Sequence, residues 1–327
     1  MNIILRLIKI FPPEASHKIA LLSLYFLYKT GLLNQFFPKF NNQKIDFFGM
    51  SLSNRLGTAA GLDKDGDYID CLGALGFGFL EVGTVTPLAQ FGNPKPRVFR
   101  IFKEKAVINR LGFNNKGVDY LVKRLKNRKY KGIVGVNIGA NKNSKDQKRI
   151  DDYIECFRKV YKYSDYITVN ISSPNTPGLR DLHDLDNIKN LILNIENEAK
   201  LNNFNRPIFL KISPDESAET IKSIADLINL SNLTGLIISN TTIDKELLHD
   251  KKNIDIDGGL SGAPLMKKST EILKAINNHN PELPIIGVGG VMCKSDFNEK
   301  INSGASLVQI YTGFIINGPK IVSKILN

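Results

Sequence analysis

Cysteine and histidine are scarce in this chain. Its three cysteines, Cys71, Cys156 and Cys293, are widely spaced and odd in number. That excludes a disulfide framework and fits a reducing compartment. The four histidines, His17, His183, His249 and His279, form no H-x-x-x-H pair, and no C-x-x-C occurs. No metal site is therefore expected. Long apolar runs are missing too: no stretch reaches the ~18–20 uninterrupted apolar residues of a spanning helix. Nor does a small-residue cleavage site follow the first apolar run, as a signal peptide would require.

What is present is ordinary for a globular protein: 327 residues, 42% hydrophobic and 23% charged, enough for one large α/β domain or two medium ones. The net charge of +12 comes from scattered lysines. The run KRLKNRKYK (123–131) reads as a solvated helix face rather than a nucleic-acid patch. No nucleic-acid partner is expected, whereas an anionic membrane surface would suit a basic protein.

The first forty residues stand apart, and residues 1–40 are taken as an N-terminal helical extension to a domain spanning 41–327. MNIILRLIKIF is a short apolar-basic segment, separated by Pro12-Pro13 from PPEASHKIALLSLYFLYKTG. The second reads as a helix, with Pro13 and Glu14 in its first turn and Gly31 at its stop. Ile19, Leu22, Phe26 and Leu27 fall at helical spacing. Two readings stand: a monotopic membrane contact, or simple packing on the main domain.

From residue 53 onward, apolar β-type runs alternate with amphipathic helical stretches. The runs are NRLGTAAG (54–61), FGFLEVGTV (77–85), GIVGVNIG (132–139), DYITVNIS (165–172), PIFLKIS (207–213), TGLIISN (234–240), PIIGVGG (284–290) and SLVQIYTG (306–313). Eight near-continuously hydrophobic strands, separated by stretches such as DDYIECFRKVYKY and SAETIKSIADLINL, predict an α/β fold of the (β/α)8 TIM-barrel type. A doubly wound open sheet is the alternative. Two connections are long: 87–115, with the β-like runs RVFRIF and AVINR around KEK, and the glycine-punctuated 241–264. Long loops after barrel strands form lids or binding walls.

The strand ends carry Ala60-Gly61 with Lys64, then Thr84, Asn137, Asn170, Lys211, Ser239-Asn240, Gly289-Gly290 and Tyr311-Thr312-Gly313. This inventory of amides, hydroxyls, lysines and glycines suits a planar, heteroatom-rich ligand bearing an anion. The glycines after strands seven and eight fit the phosphate site that barrels build there. Lys211, inside an apolar run, needs a partner. Glu81 and Asp63 are the candidate carboxylates for a structural ion pair; a ligand carrying negative charge is the other explanation.

Nine motifs together resemble the dihydroorotate dehydrogenases: AAGLDKDG (59–66), EVGTVTP (81–87), INRLGFNNKG (108–117), NIGANK (137–142), NISSPNTPGLR (170–180), SNTT (239–242), GGLSGAPL (258–265), IIGVGG (285–290) and LVQIYTGF (307–314). The serine of ISSPN and the N-terminal helices resemble the quinone-using, membrane-associated class 2 branch. The class 1 branch has cysteine at that serine's position. The resemblance implies a flavoprotein oxidoreductase of pyrimidine biosynthesis. It would hold one FMN per chain, oxidise (S)-dihydroorotate to orotate by hydride transfer to FMN, and pass electrons to a membrane quinone.

It implies FMN contacts from Ala60, Gly61, Leu62, Asp63, Lys64, Thr84, Asn137, Asn170, Lys211, Ser239, Gly262, Gly290, Tyr311 and Thr312. Substrate contacts would come from Lys64, Asn109, Arg110, Leu111, Gly112, Phe113, Asn170, Asn175, Asn240 and Thr241. Ser173 would be the catalytic base, relaying its proton through water or Thr176, and His17 and Arg100 would face a quinone tunnel. Ser172 is expected to point away from the site. A monomer at the cytoplasmic side of the inner cell membrane, in peripheral contact with lipid, completes the expectation. Position 239 is serine where the family usually has threonine; the hydroxyl is retained. A tRNA dihydrouridine synthase, the rival on the same architecture, would need a cysteine acid near its flavin, and no cysteine here fits. A non-enzymatic basic barrel would leave Lys64 and Lys211 unexplained.

Overall fold

The structure, a computed structural model, describes residues 10–37, 44–174, 184–250, 252 and 254–327. In chain order, β1 (Ile45–Phe47) and β2 (Met50–Leu52) form a hairpin, followed by β3 (Leu56–Thr58) and β4 (Phe79–Val85). The long connection after β4 holds β5 (Val98–Ile101) and β6 (Ala106–Asn109). Then come β7 (Ile133–Ile138), β8 (Tyr166–Asn170), β9 (Ile208–Lys211), β10 (Gly235–Ile238), β11 (Gly259–Gly262), β12 (Ile285–Val288) and β13 (Leu307–Ile310).

Eight of these close a parallel barrel in the order β3-β4-β7-β8-β9-β10-β12-β13. Each of the eight runs read from the sequence contains one barrel strand. Parallel pairing of β13 with β3 joins the last strand to the first, which rules out an open sheet.

The helices are α1 (Pro13–Lys29), α2 (Leu33–Phe36), α3 (Ile69–Gly73), α4 (Val118–Lys126), α5 (Asp146–Val160), α6 (Leu185–Leu201), α7 (Ala218–Asn229), α8 (Met266–His279), α9 (Lys294–Asn302), α10 (Thr312–Asn317) and α11 (Ile321–Leu326). Their patterning explains their docking. In α7, Ser217 caps the helix by accepting from Thr220 N, and Ile221, Ile224, Ala225 and Ile228 turn inward. Burying each of the larger apolar side chains contributes about 1.5–3 kcal/mol.

Two features escaped the sequence reading. The β1–β2 hairpin lays Met50 and Leu52 in one buried cluster with the barrel-interior residues Phe79, Tyr166, Phe209, Ile237, Ile286 and Leu307, and Phe47 packs against it. This plugs one end of the barrel. And β11, from the connection after β10, pairs antiparallel with β6, building the three-stranded sheet β11-β6-β5.

Of the first apolar-basic segment, residues 1–11, only Ile10 and Phe11 lie within the described residues. The second is the helix expected, with Pro13 at its start and Gly31 just past its end at φ +74°. Its apolar residues divide between a buried and an exposed face. Leu21 and Leu24 pack into the core, whereas Leu22 (46% exposed) and Phe26 (65%) face outward. Among the described residues, no helix is long and apolar enough to cross a membrane.

Candidate active site

The carboxyl ends of the barrel strands surround one cleft of ≈ 970 Å³, counting its open mouth. β3 and its loop bring Ala60, Gly61 and Lys64 to it; β4 brings Thr84, β8 Asn170, and the loop after β8 Ser173. Lys211 enters from β9, and Ser239, Asn240 and Thr241 follow β10. Gly262, Gly290, Tyr311 and Thr312 close the side formed by β11, β12 and β13. The wall from the first long connection contributes Asn109, Leu111, Gly112 and Phe113.

Several expected residues stand outside this lining. Leu62 and Asp63 are buried beside it, the Asp63 carboxylate accepting from Asp67 N (3.0 Å) and Tyr68 N (2.8 Å). Desolvation there raises the Asp63 pKa to about 7. Asn137, fully buried, lies behind the cleft's surface. Arg110 turns its guanidinium to Pro96 O (3.1 Å) and over the Phe99 ring. Asn175 and Thr176 lie outside the described residues.

Beneath the cleft runs a directed hydrogen-bond chain that begins at Glu81, 1% exposed. Its carboxylate accepts from Asn137 Nδ2 (2.9 Å), Gln309 Nε2 (2.7 Å), Tyr166 OH (3.0 Å) and Thr168 Oγ1 (3.1 Å). With its NH2 given to Glu81, Asn137 has only Oδ1 to offer Thr84 Oγ1 (2.6 Å) and Asn170 Nδ2 (3.1 Å). Asn170 Oδ1 then accepts from Ser172 Oγ (2.8 Å), and Ser172 Oγ accepts from Asn240 Nδ2 (2.9 Å). An amide has one donor end and one acceptor end, so Glu81 fixes the sense of every group in the chain.

Ser172 thus departs in part from expectation. Its side chain is buried off the cleft's surface, yet it links two asparagines of the cleft, as Asn170 Oδ1 takes both the Ser172 N–H (3.2 Å) and the Ser172 hydroxyl (2.8 Å).

The same carboxylate resolves the Lys211 question. Glu81 is engaged by four other donors, and Lys211, 5% exposed, makes no ion pair or hydrogen bond among the described residues. Desolvation lowers its pKa, and the field of Glu81 opposes that shift. Lys64 donates to Asn114 Oδ1, again with no carboxylate paired to it among the described residues. Burial first and then the Arg97 charge push it down to about 8. Two lysines unpaired with acids among the described residues, on one cleft, suit an anion or a ligand that becomes one.

Glycine matters most at two points. A Cβ on Gly290, at φ +86°, would sit 2.3 Å from Met266 Cα in the first turn of α8. One on Gly259 would meet Thr241 Oγ1 at 1.9 Å, so β11 can pass directly behind the cleft's Thr241.

At the seam between α1 and the barrel, Glu14 takes a two-pronged ion pair from Arg97 (2.8 and 3.1 Å). Arg100 donates to Ser16 Oγ (3.0 Å) and Phe11 O (2.6 Å). His17 Nε2 meets Leu62 O at 2.9 Å, and desolvation lowers the His17 pKa to about 4, so the neutral ring donates there. Leu62 lies two residues before Lys64, so this seam abuts the wall of the cleft.

Sequence reasoning missed Gln309 and Ser261, both of which line the cleft. Gln309 gives its NH2 to Glu81, and its Oε1 has no partner among the described residues. Ser261 Oγ lies 2.8 Å from Thr312 Oγ1 and donates to Val107 O (3.0 Å). A polar residue inside an apolar strand run, the signal that singled out Lys211, applies equally to Gln309 and Glu81.

A closed parallel barrel gathering amides, hydroxyls and two lysines at its carboxyl ends is a (β/α)8-barrel enzyme. Comparison with known proteins narrows the class. Residues 43–327 match the family model described as Dihydroorotate dehydrogenase. The chain is 48% identical over 316 residues to a "Dihydroorotate dehydrogenase (quinone)" of Saccharophagus degradans, covering 95% of this chain and 93% of that one. It is 49% identical over 287 residues to the protein of that name from Escherichia coli, covering 86% and 85%. Among solved structures, a dihydroorotate dehydrogenase from Eimeria tenella in complex with ferulenol superposes with a TM-score of 0.87 at 33% identity, covering 96% of this chain and 89% of that one. This chain belongs to the dihydroorotate dehydrogenase family.

Proposed function

We propose that this chain oxidises dihydroorotate to orotate in pyrimidine biosynthesis, with one FMN as resident cofactor, and passes the electrons to a membrane quinone. The observation that carries the reading is the pair of lysines, Lys64 and Lys211, set in one cleft of amides and glycines without a carboxylate partner of their own among the described residues.

FMN fits this lining. Its ring would lie against Ala60, Gly61, Thr84, Asn170 and Ser239, with Lys211 and Lys64 at its polar edges and Leu62, Asp63 and Asn137 supporting from behind. Its phosphate would meet Gly262, Gly290, Tyr311 and Thr312, where the first turn of α8 packs on Gly290 and a helix N-terminus favours negative charge. When bound, FMN supplies the acceptor for the hydride leaving C6 of dihydroorotate.

The chain's own groups do the rest. Lys64 would hold the substrate's anionic part, with Asn109, Asn170, Asn240 and Thr241 fixing the ring through paired donors and acceptors. Arg110, Leu111, Gly112 and Phe113 would form the wall, and Asn175 would join from the loop after β8. Ser173 would take the C5 proton and pass it on. Charge developing on the adjacent carbonyl is stabilised by Lys64 and the amide donors.

The extension, residues 1–40, would serve the oxidant. His17 and Arg100 at the α1 seam would face the quinone, and the outward Leu22 and Phe26 would rest in the lipid interface. The protein would act as a monomer held peripherally on the cytoplasmic side of the inner membrane, without a nucleic-acid partner.

The choice of acceptor tests this directly. With saturating dihydroorotate, a soluble ubiquinone analogue should support steady turnover, while fumarate and NAD+ should support none. Turnover with fumarate or NAD+ and not with the quinone would contradict the proposal.

A further inference from the structure

Lys300, on α9, is 0% exposed, the most completely buried lysine in the described chain. Its Nζ donates to one group, Ser269 Oγ, at 2.6 Å. No carboxylate lies within ion-pair distance among the described residues. Asp296, one turn earlier on α9, is engaged by Met292 N at 2.8 Å. An ammonium buried with one neutral partner is expensive, and desolvation pushes its pKa down to about 7. Packing alone would be served better by methionine or leucine.

Its surroundings show what the charge stands behind. Ser269 Oγ lies 2.8 Å from Leu265 O and 3.0 Å from Gly289 O. Lys300 occupies the hydroxyl's acceptor side, so the hydroxyl proton is directed to those carbonyls. The Gly289 carbonyl shares a planar trans peptide with the Gly290 N–H, and in such a peptide the two point in opposite directions. Holding Gly289 O back toward Ser269 therefore turns the Gly290 N–H toward the cleft that Gly290 lines. That N–H makes no hydrogen bond among the described residues, and an unpaired buried donor calls for an acceptor. The first turn of α8 packs against the same glycine.

We propose that Lys300 is a positioning residue for the cofactor's phosphate: through Ser269 it fixes the Gly289–Gly290 peptide with its N–H toward the cleft, and from behind the loop it supplies buried positive charge to the phosphate bound there. The inference rests on the FMN reading above and adds a counter-charge that does not touch the ligand.

Riboflavin, which is FMN without the phosphate, separates this role from packing. Full-length holoprotein is equilibrated with equal concentrations of FMN and riboflavin, and the bound flavins are separated by chromatography. The wild type should retain FMN in large excess. Lys300→Met, which keeps the length and removes the charge, should lower the FMN-to-riboflavin ratio by about tenfold or more, as loss of a charge-assisted contact would. Ser269→Ala should move it the same way by less. An unchanged ratio in Lys300→Met, including equal weakening of both flavins, would overturn the inference and leave the FMN reading standing. A wild type that retains neither flavin would overturn both. If Lys300→Met yields no folded protein, Lys300→Gln carries the same expectations.

Discussion

Replacing Ser173 with alanine should slow reduction of the bound flavin by dihydroorotate about 10²–10⁴-fold, the usual range for loss of a general acid–base group. That corresponds to about 3–5 kcal/mol of transition-state stabilisation. FMN should remain bound, since the proposed phosphate contacts and all the ring contacts but Asn170 lie on other strands. Ser173 is 5% exposed on the cleft wall. Its neighbour Ser172 is already committed to Asn170 and Asn240. A neutral hydroxyl is a weak base, so its contribution depends on position and on onward relay. Single-turnover stopped-flow under anaerobic conditions measures the step. Wild-type speed in Ser173→Ala would remove the serine from its role. Ser172→Ala is not a silent control, because it breaks the chain that begins at Glu81; it should weaken orotate binding more than it slows the proton step.

Deleting residues 1–40 should lower quinone reduction by about 100-fold or more, because an oriented oxidant site gives way to random encounter. Flavin reduction by dihydroorotate should stay within about threefold. The structure gives reason to expect the barrel to survive. Arg97 loses Glu14 but keeps Phe91 O and Asn93 O as acceptors, and the barrel's own strand pairings involve no residue of α1. Binding to anionic lipid vesicles should fall with the deletion. Leu22→Asp combined with Phe26→Asp should lower vesicle binding while leaving α1 docked, since both side chains face outward. Equal loss of both half-reactions would make the extension a structural brace and nothing more.

Much of this molecule is legible in its sequence because parallel strands buried on both faces announce themselves as apolar runs. FGFLEVGTV and DYITVNIS needed no tertiary information to be read as strands. The hairpin at 45–52 was less visible. Its strands are three residues each, and its turn uses positive φ at Phe48 (50°) as well as Gly49 (74°), an arrangement phenylalanine rarely signals. β11 was invisible for a different reason. GLSG has low strand propensity, and it is a strand only because β6, some 150 residues earlier, offers an edge.

The site divided in the same way. Lys211 stood out as a charge in an apolar run and led to the cleft. Glu81, present in an equally apolar run, was weighed only as a possible ion-pair partner. Its role in orienting Asn137 and Asn170 depends on contacts among β4, β7, β8 and β13, which no local pattern encodes. The tie of Ser172 to Asn170 was not legible from strand alternation, because Ser172 lies two residues past the end of β8, where the Asn170 side chain takes its N–H and hydroxyl.

The central claim, that this cleft carries electrons from dihydroorotate, is tested most directly by anaerobic titration of the purified wild-type protein. The account predicts a yellow protein whose visible flavin absorbance is bleached by one equivalent of dihydroorotate per chain and restored by a quinone. A colourless protein, or a yellow one that dihydroorotate leaves unbleached, would contradict it.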